Sequence, residues 1–202
     1  MGIRRMLTVI VYVLFGAMLF AAAPASASVV QPGHHAGLRG TTAVTTAPGI
    51  ASTLLGAGIL PLPVPPTRFS IGYSGGLTVT YGFPVTGGNP DLAGPSGDIF
   101  HAGGIDFVAG RGRHLEIGRF DIALAAGKIF ATQVNFAPAR IPVLDLDLSR
   151  LTVTHKHHAT VLSGITLRLD PAAAQALNAT FGLSLPADGS LVFGTATVTL
   201  RS

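Results

Sequence analysis

The stretch Gly97-Asp98-Ile99-Phe100-His101-Ala102-Gly103-Gly104-Ile105-Asp106-Phe107 decides how this chain folds. Two β-forming pieces, Asp98 to His101 and Ile105 to Phe107, flank Ala102-Gly103-Gly104. Glycine tolerates φ > 0, so this spacing predicts a tight hairpin with His101 at its shoulder. Upstream, Phe69-Ser70-Ile71 and Leu77 to Tyr81 read as strands separated by Ser74-Gly75-Gly76, and a turn-rich loop spans Gly87 to Gly97. Downstream, His114 to Leu124 reads as a long strand that changes phase. Leu115 and Ile117 share one parity while Phe120, Ile122 and Leu124 share the other, which predicts a β-bulge near Gly118-Arg119.

The same period of two continues to the end of the chain. Ile129 to Phe136 is a strand; Leu144, Leu146 and Leu148 alternate with Asp145, Asp147 and Ser149. Leu151 to His155 and Thr160 to Asp170 flank a polar corner, and Val192 to Leu200 is the last strand. One helix is clearly written between Asp170 and Gly182: an aspartate N-cap, Pro171 at the first helical position and a closing glycine. Pro48 to Gly58 is a short helix, and the prolines of Leu60 to Pro66 force an extended run. Half-buried strands joined by short turns predict a mainly β fold, an antiparallel β-sandwich or open barrel with one short C-terminal helix.

Arg4 and Arg5 precede an unbroken apolar run, Leu7 to Ala23, and Ala25-Ser26-Ala27 reads as a small-x-small cleavage site. Residues 1–27 are therefore expected to be a signal peptide, 28–47 a flexible leader, and 48–202 a single β-rich domain. No second long apolar run follows, so no transmembrane segment is expected after cleavage, and a secreted, extracellular product follows. Cysteine is absent, which excludes disulfides, thiolate metal sites and a lipoprotein attachment. The chain carries +4; loss of Arg4 and Arg5 leaves 11 basic against 9 acidic residues, a net +2. These charges are scattered and tryptophan is absent, a pattern that argues against nucleic-acid binding.

No catalytic machinery is expected. A nucleophile elbow, phosphate loop, His-Glu-x-x-His helix and dinucleotide fingerprint are all missing. Asp145 and Asp147 stand about 7 Å apart on one strand face, the sole glycosidase-like pair to weigh, but strand-face acids are ordinarily solvating residues. His155 and His157 would share a strand face beside His158, with Asp145, Asp147 or His101 as a third metal ligand; a wet turn is the favoured account and no metal is assigned. His34-His35 reads as part of the leader. Asn178-Ala179-Thr180 matches a glycosylation acceptor but falls in the predicted helix.

Phe83-Pro-Val-Thr-Gly-Gly88, followed by the Gly97 to Phe107 stretch, resembles the core of the Hta-type haem-uptake domain of actinobacterial secreted and surface proteins. The Pro171 to Gly182 segment followed by a Thr-rich final strand is similar to that family's end, so the resemblance covers roughly residues 67 to 200. It implies a cell-envelope binding module in which a tyrosinate, supported by a histidine, holds ferric haem. His101 matches the histidine of the turn motif, and Tyr73 or Tyr81 would be the axial ligand. The function expected is a secreted non-catalytic module binding haem or another apolar ligand. The alternative is a structural or adhesive extracellular protein with no small-molecule ligand.

Overall fold

A computed structural model describes residues 37–201; the expected signal peptide and His34-His35 lie outside the described residues. The strands are β1 (Arg39–Thr46), β2 (Ile59–Val64), β3 (Arg68–Tyr73), β4 (Leu77–Gly88), β5 (Asp98–His101), β6 (Gly104–Ala109), β7 (Arg113–Ala123), β8 (Lys128–Val134), β9 (Ala137–Asp147), β10 (Thr152–Lys156), β11 (Ala159–Leu169) and β12 (Val192–Arg201). Two helices, α1 (Ile50–Gly56) and α2 (Pro171–Phe181), complete the list. Eight of these strands pair antiparallel in the order β7-β5-β4-β1-β12-β11-β9-β8, and β8 returns to β7. The sheet thus closes into a barrel, which removes the open edges a sandwich would keep. Among the described residues no helix is long and apolar enough to cross a membrane.

Closure depends on a strand expected to be part of a flexible leader. β1 lies between β4 and β12, pairing Thr42 with Phe83 on one side and with Val198 on the other. Thr42, Val44 and Thr46 are buried and face the interior. The Thr/Ala/Val alternation of 41–46 is a strand pattern that its polar composition obscured. The β-rich domain therefore starts before residue 48.

The quoted stretch also folds differently from the expected hairpin. β5 and β6 do not pair with each other; both lie antiparallel against β7, β5 on Asp121–Ala123 and β6 on Arg113–Gly118. They are one strand broken at Ala102-Gly103. Gly103 has φ +86, and a Cβ there would sit 2.2 Å from Thr67 Oγ1. A Cβ on Gly104 would sit 2.4 Å from the Ile117 carbonyl oxygen. The glycines answer a demand for close approach between backbones, which a sequence motif shares with a tight turn.

That break forks the barrel wall. On one side of the break β5 pairs with β4; on the other, β6 pairs with β2 while β4 pairs with β3. The wall between β2 and β3 is open: among the described residues each of these strands has a single partner. The Tyr81 hydroxyl crosses the split and donates to the Pro61 carbonyl at 2.8 Å. Pro61 and Pro63 share one parity of β2 and have no N–H to offer a further strand. α1 packs on β2 and β4 behind the opening, with Ala51 and Leu54 buried.

The phase change of β7 is present, with Arg119 at φ 52. Pairing with β8 nevertheless keeps one register across it, Gly118↔Gln133 before and Phe120↔Ala131 after, so no extra residue stands against that partner. α2 follows its sequence signals closely. Asp170 caps it by accepting from the Ala172 N–H at 2.8 Å, and Gly182 closes it. Ala173, Ala174, Leu177 and Phe181 are buried as the helix packs across β9 and β7.

Candidate functional site

His101 ends β5 with its ring inside the barrel, 4% exposed. Its Nδ1 lies 3.2 Å from the Phe120 carbonyl, which only accepts, so Nδ1 carries the proton. Nε2 lies 2.7 Å from Thr42 Oγ1 and accepts from that hydroxyl. Burial holds the imidazole neutral and lowers its pKa from 6.5 to about 4, against the opposing effect of its backbone hydrogen bonds. Both nitrogens are engaged in joining β5 to β1 and β7.

The two tyrosines that the sequence offers with His101 have opposite surroundings. Tyr81 is 2% exposed, stacked 6.3 Å from Phe83, which in turn meets Phe120 edge-on at 4.9 Å. Burial pushes its hydroxyl up to about 12, so it remains a neutral donor to Pro61. Tyr73 ends β3 and is 83% exposed. Tyr81 does not line the cavity that His101 lines, and Tyr73 lies outside it as well.

Pairing of β3 with β4 sets Phe69 opposite Tyr81, Ile71 opposite Val79 and Tyr73 opposite Leu77. Directly paired residues share a sheet face, so Phe69, Ile71 and Tyr73 lie on the face that, on β4, turns to the core. β3 overhangs that core: Phe69 is 52% and Ile71 68% exposed. Six of the eight large apolar side chains that stand exposed among the described residues fall between Leu55 and Tyr73 in sequence, three of them on this face of β3. Leu60 and Leu62 belong to the opposite face of β2, since Ile59 and Pro61 point inward. The result is an apolar ledge on β3 with a phenol at its end. Apolar side chains exposed side by side on one strand face make this ledge the candidate contact surface of the described residues.

The remaining candidates have structural employment. Asp145 pairs with Lys128, which also meets Asp170 at 2.7 Å. Asp147 accepts from the Ser149 N–H at 3.0 Å, and its hydrogen bonds to Ser149 hold its carboxyl below the usual range. His155 is on β10, whereas His157 (φ 47) and His158 are in the turn, so no strand face carries the pair. All three line a surface cavity of about 310 Å³ with Leu38, Leu92 and Leu200. Among the described residues no three His, Asp or Glu side chains are gathered as a metal site. Asn178 is held by Leu185, donating to its carbonyl at 2.9 Å and accepting from its N–H at 2.8 Å.

Sequence reasoning missed the ledge because period two alone cannot tell a strand face that is covered from one that overhangs. The extended proline run beside it was the available signal, since prolines mark a strand edge.

No family model matches the sequence, and no curated protein sequence matches it. Among solved structures the chain is similar to the C-terminal domain of HtaA from Corynebacterium glutamicum, at 17% identity and a TM-score of 0.49. The match covers 81% of this chain and 99% of that one, a resemblance in the course of the chain and short of membership in a family.

Proposed function

We propose that this chain is an exported, non-catalytic binding module that takes a flat apolar ligand on the ledge of β3, with haem as the ligand to test first. The observation that carries this is the ledge itself: Phe69, Ile71 and Tyr73 on one strand face, 52%, 68% and 83% exposed. Two apolar side chains offer a surface for a ring system, and the phenol of Tyr73 is the type of oxygen ligand that suits ferric iron. Bound haem would bring its iron and macrocycle; the chain would contribute Tyr73 and apolar contact. The barrel interior does not fit such a ligand. Its cavity is about 80 Å³, whereas ligand pockets run from about 300 Å³ upward. Nor do Tyr81 and His101 fit the ligand role, because each is buried and already hydrogen-bonded.

The test is a haemin titration of residues 28–202 followed by absorbance, with Tyr73→Ala, Tyr81→Phe and His101→Ala alongside. Saturable one-to-one binding with a shifted Soret band is expected, lost in Tyr73→Ala and kept in Tyr81→Phe. Absence of saturation, or indifference to Tyr73→Ala, overturns the proposal. The ledge would then be a protein-contact surface, and a structural or adhesive envelope protein the better account.

A further inference from the structure

A second feature stands apart from the ledge and does not rest on it. Beneath α2 the barrel keeps a cavity of about 80 Å³. Its walls are Ile, Leu, Phe, Val and Ala side chains, and His101 and Thr42 are the only polar residues among them. Those two satisfy each other: the Thr42 hydroxyl donates to Nε2, and Nδ1–H is taken by Phe120. The cavity therefore presents almost nothing but hydrocarbon, and both polar hydrogens at its wall are already donated, so no donor is left for a ligand or a water molecule.

The space is there because α2 turns small residues toward the barrel. Ala173 and Ala176 line the cavity opposite Ile and Leu side chains of the strands. Leu115, Ile117, Ile141, Leu144 and Ala176 are lining residues that are also only half-buried, so the cavity approaches the surface between α2, β7 and β9. An eight-stranded barrel has an interior that side chains just fill, or that holds one small ligand. A packed interior rarely keeps a void, since its lining forfeits dispersion contacts that a leucine in place of Ala173 would supply.

We propose that this cavity is a binding site for an uncharged hydrocarbon group, seated under α2 against Ala173 and Leu177. The group would be either a small free hydrocarbon or the methyl end of an acyl chain whose polar head stays outside; the shared chemistry is a short apolar body without hydrogen-bonding atoms. Apolar cavities of roughly twice this volume take up benzene or xenon, so the terminal part of a chain or a single small molecule matches the space.

The experiment follows Ile, Leu and Val methyl resonances of residues 28–202 during separate titrations with xenon, benzene and decanoate. Saturable shifts are expected at Ile122, Ile129, Val143 and Leu177. Shifts with xenon or benzene alone identify a free small molecule as the source; shifts with decanoate identify an acyl end. Ala173→Leu fills the space and is expected to weaken binding by about tenfold or more. Ala176→Leu, at the half-exposed rim, serves if the deeper change prevents folding. His158→Ala, on the distant turn, is expected to leave the shifts unchanged. No saturable shift with any of the three probes, or shifts that persist undiminished in a folded filled variant, overturns the proposal.

Discussion

His101 is neutral in the folded barrel, and acid tests that neutrality. Its folded pKa is lowered, from 6.5 to about 4, by burial. Between those values the unfolded chain binds a proton that the folded chain refuses, so stability rises with pH across this window. The contribution is fully present above about pH 6.5 and lost as pH falls toward 4. Chemical denaturation at pH 7 and pH 5 is expected to differ by about 2 kcal/mol from this group, and the difference should shrink in His101→Gln. A flat profile in the parent chain would contradict the buried, doubly bonded imidazole. Tyr81 makes a complementary case. Tyr81→Phe keeps the ring among Phe83 and the core but strands the Pro61 carbonyl, a loss of about 1 kcal/mol in a denaturant titration. Equal stability of the two proteins would mean that the hydroxyl bridge across the split contributes nothing.

At the scale of elements, the break between β5 and β6 holds the fork open and leaves no room for a side chain. Gly104→Ala places a methyl 2.4 Å from the Ile117 carbonyl and 3.0 Å from Gly118 Cα, both backbone atoms that cannot swing aside. A loss of at least about 2 kcal/mol is expected by thermal or denaturant unfolding, whereas Gly94→Ala, with open space around it, serves as a neutral comparison. The contrast with α2 explains which elements were readable. A helix terminus is written in local chemistry: Asp170, Pro171 and Gly182 each act on their own neighbours, and the structure matches them residue for residue. The Gly103-Gly104 pair answers to Thr67 and Ile117, which are distant in sequence. Locally it is indistinguishable from a hairpin turn. β1 was obscured for the same reason. Its partners on β4 and β12 are far along the chain, and its threonines resemble a solvated arm until those partners bury them.

At the scale of the whole molecule, the closed barrel makes every wall strand necessary. A chain beginning at Pro48 lacks β1 and leaves β4 and β12 unpaired along their facing edges. It is expected to aggregate or melt without cooperativity, while a chain beginning at residue 37 keeps a single cooperative transition by circular dichroism. A cooperative transition in the shorter chain would show that β1 is dispensable. The candidate site was legible only in part. Tyr73, Tyr81 and His101 were all visible as chemistry, but their value depends on exposure, which sequence does not carry. The structure sets two of them to work inside the wall and leaves Tyr73 alone on a ledge that no periodicity announces.

The pairing of β1 with β12 has one more consequence. Arg39 stands opposite Arg201, so the chain enters and leaves the barrel side by side. Chain ends that meet can be joined by a short linker and new ends cut elsewhere. The tip of the Asn89-to-Gly97 loop is the natural place to cut, since Gly94 and Pro95 are exposed there between the bridged Asp91 and Ser96. The barrel can thus be permuted, or spliced as an insert into a surface loop of another protein, with its wall in unchanged order.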